Sequence, residues 1–578
     1  MQKKLLTVLS VLILGSLVLS ACGPRVQEGV VSSGENLVTF HGYDDTDIPT
    51  LDPQLGEDTV SIDYIENLFV QLTNYDLVTA DIVPEAATSW DISDDGLVYT
   101  FNLRDDIPWV KHNPETGEVI QEVDADGNPR FVTASDFVYG IKRACNPNTG
   151  SYYSGIIAGV IEGCGDVYEY EDPENIPQEM IDDIGVSAPD AETLVISLLS
   201  PAAYFLSMTP MWTMAATPQW AIDEYADEWI EAGNIVTNGP FVLNEWEHGV
   251  SRTILRNPLM PEDMQGNGNL EALTINVVPD TSTGYALWLN NEVDTAGIPD
   301  AELQTHLGEY EDETIQVPTL GVFYIAFRQS KAPFDNVHVR RAFSAAYNRD
   351  AHVEVIEQYQ GLPMTHFAPP GIFGAPPIDE VGISFDPEFA REELALAGYP
   401  DCEGFPQVTL LGYSGEHTLN WIEFAQAQWE ENLGCDPSLI QVEQQTFADL
   451  LIATKAEDDE VPHMWTLAWG PDYADENNWV GDVLDCNIEV RLHRTCNEID
   501  EKVEEARFEP DPEKRKELYR EIEDMYFGYE GEIPFFPIYV EIAYVAEHSW
   551  LDRTKALFGG DQYYNWSIDQ DAKLAAQQ

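Results

Sequence analysis

The first 21 residues most constrain how this chain folds, because they decide the compartment in which folding takes place. Lys3 and Lys4 give a positively charged start, and an apolar run follows over residues 5–19. The run is too short to span a bilayer comfortably, and small residues follow it, which is typical of an export signal. We therefore predict that residues 1–21 are a cleaved signal peptide and that the remaining chain folds outside the cytoplasm, where disulfides persist.

The last residues of this segment, Leu19-Ser20-Ala21-Cys22, resemble the bacterial lipobox. In that motif the cysteine thiol is acylated with diacylglycerol and the cysteine becomes the first residue of the mature protein. The resemblance implies a lipoprotein anchored to the bacterial cell membrane through Cys22. An ordinary signal peptide whose cleavage site contains a cysteine, or an uncleaved anchor, is the alternative. Residues 22–36 have no helical or strand period, so we predict a flexible tether.

The remaining cysteines indicate disulfides. The chain has 7 cysteines, and assigning Cys22 to lipid leaves an even number in an oxidising compartment. Several pairings are possible, and we favour the local ones. These are Cys145 with Cys164, Cys402 with Cys435, and Cys486 with Cys496. The cysteines are too widely spaced for a thiolate zinc site, so we predict no metal and no other cofactor.

The charge of the chain excludes several classes of partner. It carries 28 Lys and Arg against 103 Asp and Glu, a formal net charge of −75. Nucleic acid and anionic lipid surfaces would be repelled. The acidity is typical of a well-solvated surface, and we favour that interpretation over a field that steers ligands. With 44% hydrophobic residues the chain is globular, and no later apolar run is long enough to span a membrane.

Local patterns predict a mixture of strands and helices. The Asp95-Gly96 pair suits a tight turn, and the alternating apolar residues around it predict a hairpin over residues 90–104. A second hairpin is predicted between residues 118–123 and 131–132. Thr133 begins a capping-box pattern before a helix. Val408–Tyr413 is predicted to be a buried strand, and Asp511 followed by Pro512 predicts a helix start.

Several strings occur along the chain in the order found in one protein family. They resemble the extracytoplasmic solute-binding protein family 5, the dipeptide- and oligopeptide-binding receptors of ATP-binding cassette (ABC) importers. The resemblance covers nearly the whole mature chain. The strings are TLDP at 50–53, ATSW at 87–90, DDG at 94–96, YTFNLR at 99–104, TASDFVY at 133–139, NGPF at 238–241, PFDNV at 333–337 with VR at 339–340, and IPFFP at 533–537.

The resemblance implies an α/β fold of the periplasmic-binding-protein type (type II, cluster C), in which two lobes enclose a cleft and one further domain is inserted. Domain I would be discontinuous, and the protein would be a monomer. The implied division is residues 37–62, 190–317 and 537–578 for domain I, 63–189 for domain II, and 318–536 for domain III.

The WGPDYAD stretch at 469–475 resembles the part of this family that binds the ligand. The resemblance implies that Asp472 pairs with the free α-amino group of the ligand, while Trp469 and Tyr473 form pocket walls. A carboxylate and an ammonium that are desolvated together interact strongly. Alternatively, Asp472 caps a turn and both aromatic residues belong to the core. The stretch departs from the family at Glu476, where proline is common.

Arg328 is a further candidate ligand contact. It follows the strand pattern of residues 324–327, at a position where family members often have asparagine. A guanidinium can bind a ligand carboxylate through two hydrogen bonds. An exposed arginine or an internal ion pair is the alternative. Both departures leave the ligand class open.

The predicted function is capture of a short peptide or similar solute between the lobes and its delivery to importer permease subunits that work with separate ATPases. The membrane would be contacted through the lipid alone. An oligosaccharide or a metal complex as ligand, or a sensor role, is the alternative within this fold. The chain has no G-x-S-x-G, H-E-x-x-H or phosphate-binding loop motif, so no enzyme is predicted. A glycosidase needs only two placed carboxylates and is the alternative from another class.

Overall fold

The computed structural model of this chain describes residues 37–378, 380–456, 461–486 and 491–578. The predicted signal peptide, the tether and Cys22 lie outside these ranges. Within them, no helix is both long enough and apolar enough to cross a membrane.

The strands of the described residues are numbered in chain order. They are β1 Thr39–Asp44, β2 Thr73–Tyr75, β3 Ile82–Pro84, β4 Ala87–Ile92, β5 Val98–Leu103, β6 Val110–Asn113, β7 Glu118–Gln121, β8 Val186–Asp190, β9 Thr193–Ser197, β10 Phe241–Glu247, β11 Ser251–Arg256, β12 Ala272–Val277, β13 Thr295–Gly297, β14 Thr314–Phe327, β15 Gly361–Pro363, β16 Val408–Tyr413, β17 Ile440–Gln445, β18 Met464–Trp469, β19 Phe535–Glu547, β20 Leu551–Asp552 and β21 Ser567–Ile568.

The α-helices are interspersed with these strands. Their bounds are Thr59–Leu68, Ala134–Cys145, Ser154–Ala158, Cys164–Tyr168, Gln178–Asp182, Phe205–Met208, Gln219–Tyr225, Thr281–Leu289, Leu303–Glu309, Val337–Ala345, Arg349–Val355, Pro387–Leu396, Glu416–Leu433, Phe447–Ala453, Glu498–Phe508, Pro512–Phe527 and Gln570–Ala576.

The first lobe contains two four-stranded sheets. One has the order β1-β12-β11-β10, and the other has the order β4-β5-β9-β8. Both sheets contribute to one buried core, which includes Phe40, Phe101 and Phe241. The predicted hairpin around Asp95-Gly96 is present as β4 and β5.

The second lobe is built on a larger sheet that also reaches into the first. Its strand order is β13-β19-β14-β18-β16-β17, with β15 beside β19. Side chains of β14 alternate between two cores, with Ile325 and Phe327 on one face and Tyr324 and Ala326 on the other. Helices cover both faces, as a strand that is apolar on both sides requires. β14 and β19 continue past this core to pair again at Thr314 and Ala546, beside β13 of the first lobe.

The division into three domains remains a prediction. The two long strands cross the predicted boundaries at 317/318 and 536/537, so the lobes share β14 and β19 rather than meeting at a flexible linker. β9 pairs with β5 and β8. Because of this pairing, the sheet of the predicted domain II extends beyond the boundary placed at 189/190.

Disulfides join the cysteines in the local pairing predicted from the sequence. In each pair the Cα atoms lie 5.0–5.3 Å apart, within the usual range for a disulfide. The bonded pairs are Cys145–Cys164, Cys402–Cys435 and Cys486–Cys496. The first links the end of one helix to the start of another, and thereby holds two short elements of the first lobe together.

Candidate ligand-binding site

One edge of the large sheet faces the first lobe. β16 runs parallel to β17 and β18, so these three strands end at the same edge. β14 is antiparallel to β18 and pairs Val322 with Trp469 at this edge, where it enters from the first lobe. Ligands of open α/β sheets bind outside the carboxyl ends of the strands. The segment that follows β18, residues 470–482, therefore occupies the position expected for a ligand-binding loop.

The two lobes touch at this loop. The ring of Tyr473 stacks on Tyr204 of the first lobe, with 5.7 Å between ring centroids. The main-chain nitrogen of Ala203 donates a hydrogen bond to the carbonyl oxygen of Arg507, at 2.9 Å. Tyr473 is 1% exposed. The loop is thus held at the junction between the lobes.

Asp472 is held by Asn478 rather than by a cation. Its main-chain nitrogen donates to Asn478 Oδ1 at 2.9 Å, and Asn478 Nδ2 donates to Asp472 Oδ2 at 3.2 Å. Trp469 Nε1 donates to the same amide oxygen at 3.3 Å. Burial raises the pKa of Asp472 to about 6, although the hydrogen bond from Asn478 opposes this. The side-chain partner of this carboxylate among the described residues is the neutral amide of Asn478, and no cation contributes to its pKa, so the site has a charge that a ligand cation would balance.

Tyr473 stabilises the loop through hydrogen bonds of its hydroxyl group. Its hydroxyl donates to Asp482 Oδ2 at 2.6 Å and accepts from Asn477 Nδ2 at 2.8 Å. Burial raises the pKa of Asp482, and the hydrogen bond from Tyr473 and the charge of Arg507 oppose the shift. Because its ring is enclosed, Tyr473 has the contacts of a core residue, as the alternative in the sequence analysis expects, and it shapes the site through the backbone of Asp472.

The next residues fasten the loop to the helix Pro512–Phe527. The fully buried Asp475 pairs with the guanidinium of Arg515 and accepts a hydrogen bond from the Tyr519 hydroxyl at 3.1 Å. Burial raises the pKa of Asp475, and the charge of Arg515 opposes the shift. Arg515 also lies over the ring of Phe373, 4.2 Å from its centroid. The position of Asp472 therefore depends on this helix as well as on β18.

Tyr153 completes the site from the first lobe. Its ring packs edge-on against Trp212 at 4.9 Å between centroids. Burial raises the pKa of Tyr153, and the charges of Asp472 and Glu57 raise it further, so its hydroxyl lies within electrostatic reach of both carboxylates. The sequence analysis did not identify Tyr153. The available signal was a Tyr152-Tyr153 pair following Gly150-Ser151, an aromatic pair in a loop where burial is not expected.

Arg328 does not lie near Asp472 and the aromatic residues around it. It follows Phe327, which pairs with Met464 at the opposite end of the β14–β18 ladder. At about 3.3 Å per residue, Arg328 is about 20 Å from the edge that carries Asp472. Its guanidinium, 2% exposed, donates to Ser330 Oγ at 3.0 Å and to the carbonyl oxygens of Arg491 and Ala456 at 2.8 and 3.0 Å. These hydrogen bonds place Arg328 in the framework at the far end of the second lobe, and its contact with the ligand stays a prediction.

A histidine lies at the same edge as Asp472. His417, after β16, shares a hydrogen bond with Glu357 Oε2 at 3.1 Å, and His352 does so with Glu357 Oε1 at 2.9 Å. Burial works against ionisation of Glu357, but these hydrogen bonds outweigh it and lower the pKa of Glu357 to about 2. The hydrogen bond with Glu357 raises the pKa of His417, and the charges of Asp300 and Glu541 add to the shift. This side of the cleft is therefore also predominantly acidic.

The family pattern described as bacterial extracellular solute-binding proteins, family 5 Middle, matches residues 81–488. The chain belongs to this family. The periplasmic oligopeptide-binding protein OppA of Escherichia coli (strain K12) is 27% identical, covering 94% of this chain and 98% of that protein. The oligopeptide-binding protein OppA of Bacillus subtilis (strain 168) is 27% identical over 93% of this chain and 94% of its own length. Among solved structures, the unliganded open form of the periplasmic murein tripeptide-binding protein MppA has a TM-score of 0.77 at 23% identity, covering 92% of this chain and 98% of that one.

Membership of family 5 confirms the predicted two-lobed α/β fold and the prediction that the chain binds a solute rather than catalysing a reaction. The family description places its members outside the cytoplasm, which agrees with the compartment predicted from the sequence. In the part of the chain that the structure describes, no cluster of three or more His, Cys, Asp or Glu side chains could hold a metal ion.

Proposed function

We propose that this chain captures short peptides by their free amino group at Asp472 and delivers them to an ABC importer. The observation that carries the proposal is the Asp472 carboxylate, which lies between the lobes and, among the residues that the structure describes, has only the Asn478 side chain as a hydrogen-bond partner. The names of the OppA relatives support peptides as the ligand class.

The chemistry of the site suits an α-ammonium group. The ligand ammonium carries three N–H donors, and a charge-assisted hydrogen bond to a carboxylate is about twice as strong as a neutral one. The enclosed position of Asp472 removes competing water, which strengthens the pair. Tyr153 and Trp212 from the first lobe would cover the first residues of the peptide once the lobes close, and Glu57 would add a second negative charge beside the amine.

The proposed receptor is held at the cell surface by a lipid on Cys22. The support is the lipobox-like end of the signal segment and the tether that follows it. The receptor would be a monomer and would dock on permease subunits whose ATPases are separate chains. Fatty-acid labelling tests the anchor: the wild-type chain should incorporate labelled palmitate and Cys22→Ser should not. Equal labelling of both chains would refute acylation at Cys22.

The ligand class is tested by mass spectrometry of molecules released on denaturation. The protein is expressed without residues 1–21 and with Cys22 replaced, and is purified gently. A ladder of short peptides is expected, and a single sugar or metal complex would refute the peptide proposal. Calorimetry with a matched pair of peptides then tests the anchor. A free-amine peptide should bind at least tenfold more tightly than its N-acetylated form, and equal affinities would remove the role of Asp472.

A further inference from the structure

Glu476, four residues after Asp472, is buried, and no described residue donates a hydrogen bond to its carboxyl group. It is 0% exposed, and neither carboxylate oxygen has a hydrogen-bond partner among the described residues. Its main-chain nitrogen donates to the carbonyl oxygen of Phe373 at 2.9 Å, so the side chain is fixed where the ligand loop meets residues 365–378. A Cβ atom added to Gly374 would lie 2.8 Å from Glu476 Oε2, which shows how closely the backbone encloses the carboxyl group. An ionised carboxylate in such a place is strongly unfavourable.

The groups around Glu476 are mostly acidic. Glu523, on the helix Pro512–Phe527, is also 0% exposed, and Asp475 precedes Glu476 in the loop. Arg515, on the same helix, is the cation near this group. Its Nη2 is paired with Asp475, whereas its Nη1 is buried without a hydrogen-bond partner among the described residues and does not reach Glu476. Tyr519 donates its hydroxyl hydrogen to Asp475. One arginine therefore faces three buried acids.

Residues 366–368 pack against the buried acids from the side opposite the helix, and two of their main-chain nitrogens stabilise the ionised form of Glu523. The main-chain nitrogen of Ala368 donates to Glu523 Oε1 at 2.7 Å, and that of Phe367 donates to both oxygens at 3.1 and 3.2 Å. His366, also buried, precedes these residues. Burial raises the pKa of Glu523 to about 7, against these hydrogen bonds. Burial, then the charge of Glu523, raises the pKa of Glu476 well above its ordinary value.

The two glutamates differ in what stabilises their charge. Glu523 accepts hydrogen bonds from two main-chain nitrogens, whereas neither oxygen of Glu476 accepts one from a described residue. When two carboxyl groups share a site, the one with more donors ionises first. Glu476 is therefore the group that keeps its proton.

We propose that Glu476 is a positioning residue that holds the ligand loop in place only while it is protonated, so that the loop carrying Asp472 loosens as the pH rises. The consequence for ligand capture rests on the proposed function, whereas the protonation of Glu476 does not.

The direction of the effect on stability follows from proton binding. A carboxyl whose pKa is raised by folding keeps a proton that the unfolded chain releases above about pH 4.5. The stabilisation is complete below that pH and is lost as the pH rises through the raised pKa, by about tenfold in the folding equilibrium per pH unit for each such proton. For Glu523 this window runs from about 4.5 to about 7. For Glu476 the raised pKa acts in the same direction, so its contribution is likewise lost as the pH rises.

Urea unfolding between pH 5 and pH 9 tests the proposal. Glu476→Gln mimics the protonated side chain, so its stability should fall less with pH than that of the wild type, with a gain of at least tenfold in the folding equilibrium at pH 9 and little at pH 5. Glu517 is an exposed glutamate on the helix Pro512–Phe527, so Glu517→Gln is the matched control, and its pH profile of stability should match that of the wild type. Parallel pH profiles of Glu476→Gln and the wild type would overturn the proposal.

A second variant, Glu523→Gln, keeps the proposal testable if Glu476→Gln does not fold. A binding measurement separates the proposal on Glu476 from the proposed peptide-binding function. Glu523→Gln removes the neighbouring charge and should also flatten the pH profile; if it keeps the wild-type profile, the pair is not the titrating group. Between pH 7 and pH 9 the affinity for a free-amine peptide should fall more for the wild type than for Glu476→Gln, because only the wild type has Glu476 to ionise. Deprotonation of the ligand amine lowers the affinity of both proteins equally and therefore cancels in the comparison. If no peptide binds, the proposed function fails while the unfolding profiles still decide the role of Glu476.

Discussion

Replacing Asp472 with asparagine should weaken ligand binding and stabilise the empty receptor. Asparagine keeps the shape of the side chain and an oxygen that can accept from Asn478 Nδ2. The variant therefore removes the charge with little change in packing. Removing one partner of a buried, hydrogen-bonded charge pair reduces the binding free energy by about 2–4 kcal/mol, or roughly 30- to 1,000-fold in Kd. An N-acetylated peptide has no ammonium to lose and should bind both proteins alike.

The effect on stability has the opposite sign. A rise in the pKa of Asp472 from 3.8 to about 6 corresponds to about 3 kcal/mol of destabilisation when the group is ionised. Because solvent still reaches part of the side chain, we expect a gain of about 1–2 kcal/mol in the unfolding free energy of Asp472→Asn at pH 7.5. The protonated wild-type side chain carries no such penalty, and the penalty grows as the pH rises from 3.8 through about 6. The gain in unfolding free energy of Asp472→Asn should therefore be smaller at pH 5 than at pH 7.5.

Isothermal calorimetry and urea unfolding at pH 5 and pH 7.5 measure the two effects. Asp227→Asn, at an exposed site of the first lobe, is the control and should change neither quantity. The reasoning is refuted if Asp472→Asn binds free-amine peptides as tightly as the wild type. It is also refuted if the variant is less stable than the wild type at pH 7.5, since Asp472 would then be structural.

Further predictions concern the framework around the site. Arg328→Lys should reduce the unfolding free energy by about 1–3 kcal/mol through lost hydrogen bonds, with peptide affinity unchanged by calorimetry; a large loss of affinity would support its ligand role. Arg515→Ala should cost about 3–5 kcal/mol in urea unfolding, because Asp475 keeps a buried charge without its cation, and a loss below 1 kcal/mol would contradict this. Replacing Cys402 and Cys435 together by serine opens a covalent loop with a sequence separation of 33 and should cost about 3–4 kcal/mol by the same assay, whereas unchanged stability would argue against the bond. Because the net charge is −75, the thermal midpoint should rise as NaCl is added, and a flat response would exclude self-repulsion as a destabilising term.

Elements with local signals were predictable from the sequence. β16 has the bounds expected for Val408–Tyr413, because its apolar residues and flanking turn residues are adjacent in the chain. The helix Ala134–Cys145 begins after Thr133 with the predicted capping box, and Asp511 caps the helix that starts at Pro512. In these cases the groups that decide the structure lie within a few residues of one another.

Features that depend on distant partners were not predictable in this way. Residues 118–121 were expected to pair with residues 131–132, but they pair with β6, while the turn at residues 124–128 closes a separate short contact. The roles of Arg328 and Tyr153 depend on strand register and on the approach of the other lobe. No local pattern encodes either, so the sequence could indicate Asp472 only through a family resemblance. Glu476 was recognised as a departure, but its burial beside Glu523 required the fold.

The place of β19 in the large sheet has a consequence for export. This strand lies between β13 and β14 and therefore completes the large sheet, yet it is among the last strands to be synthesised. A chain that crosses the membrane from its N-terminus presents the open edges of β13 and β14 until residues 535–547 arrive. Unpaired strand edges are sites of aggregation. Secretion of this protein would thus include an interval in which more than nine-tenths of the chain is outside while the large sheet still lacks β19. Fast translocation or a chaperone would protect the open strand edges during that interval.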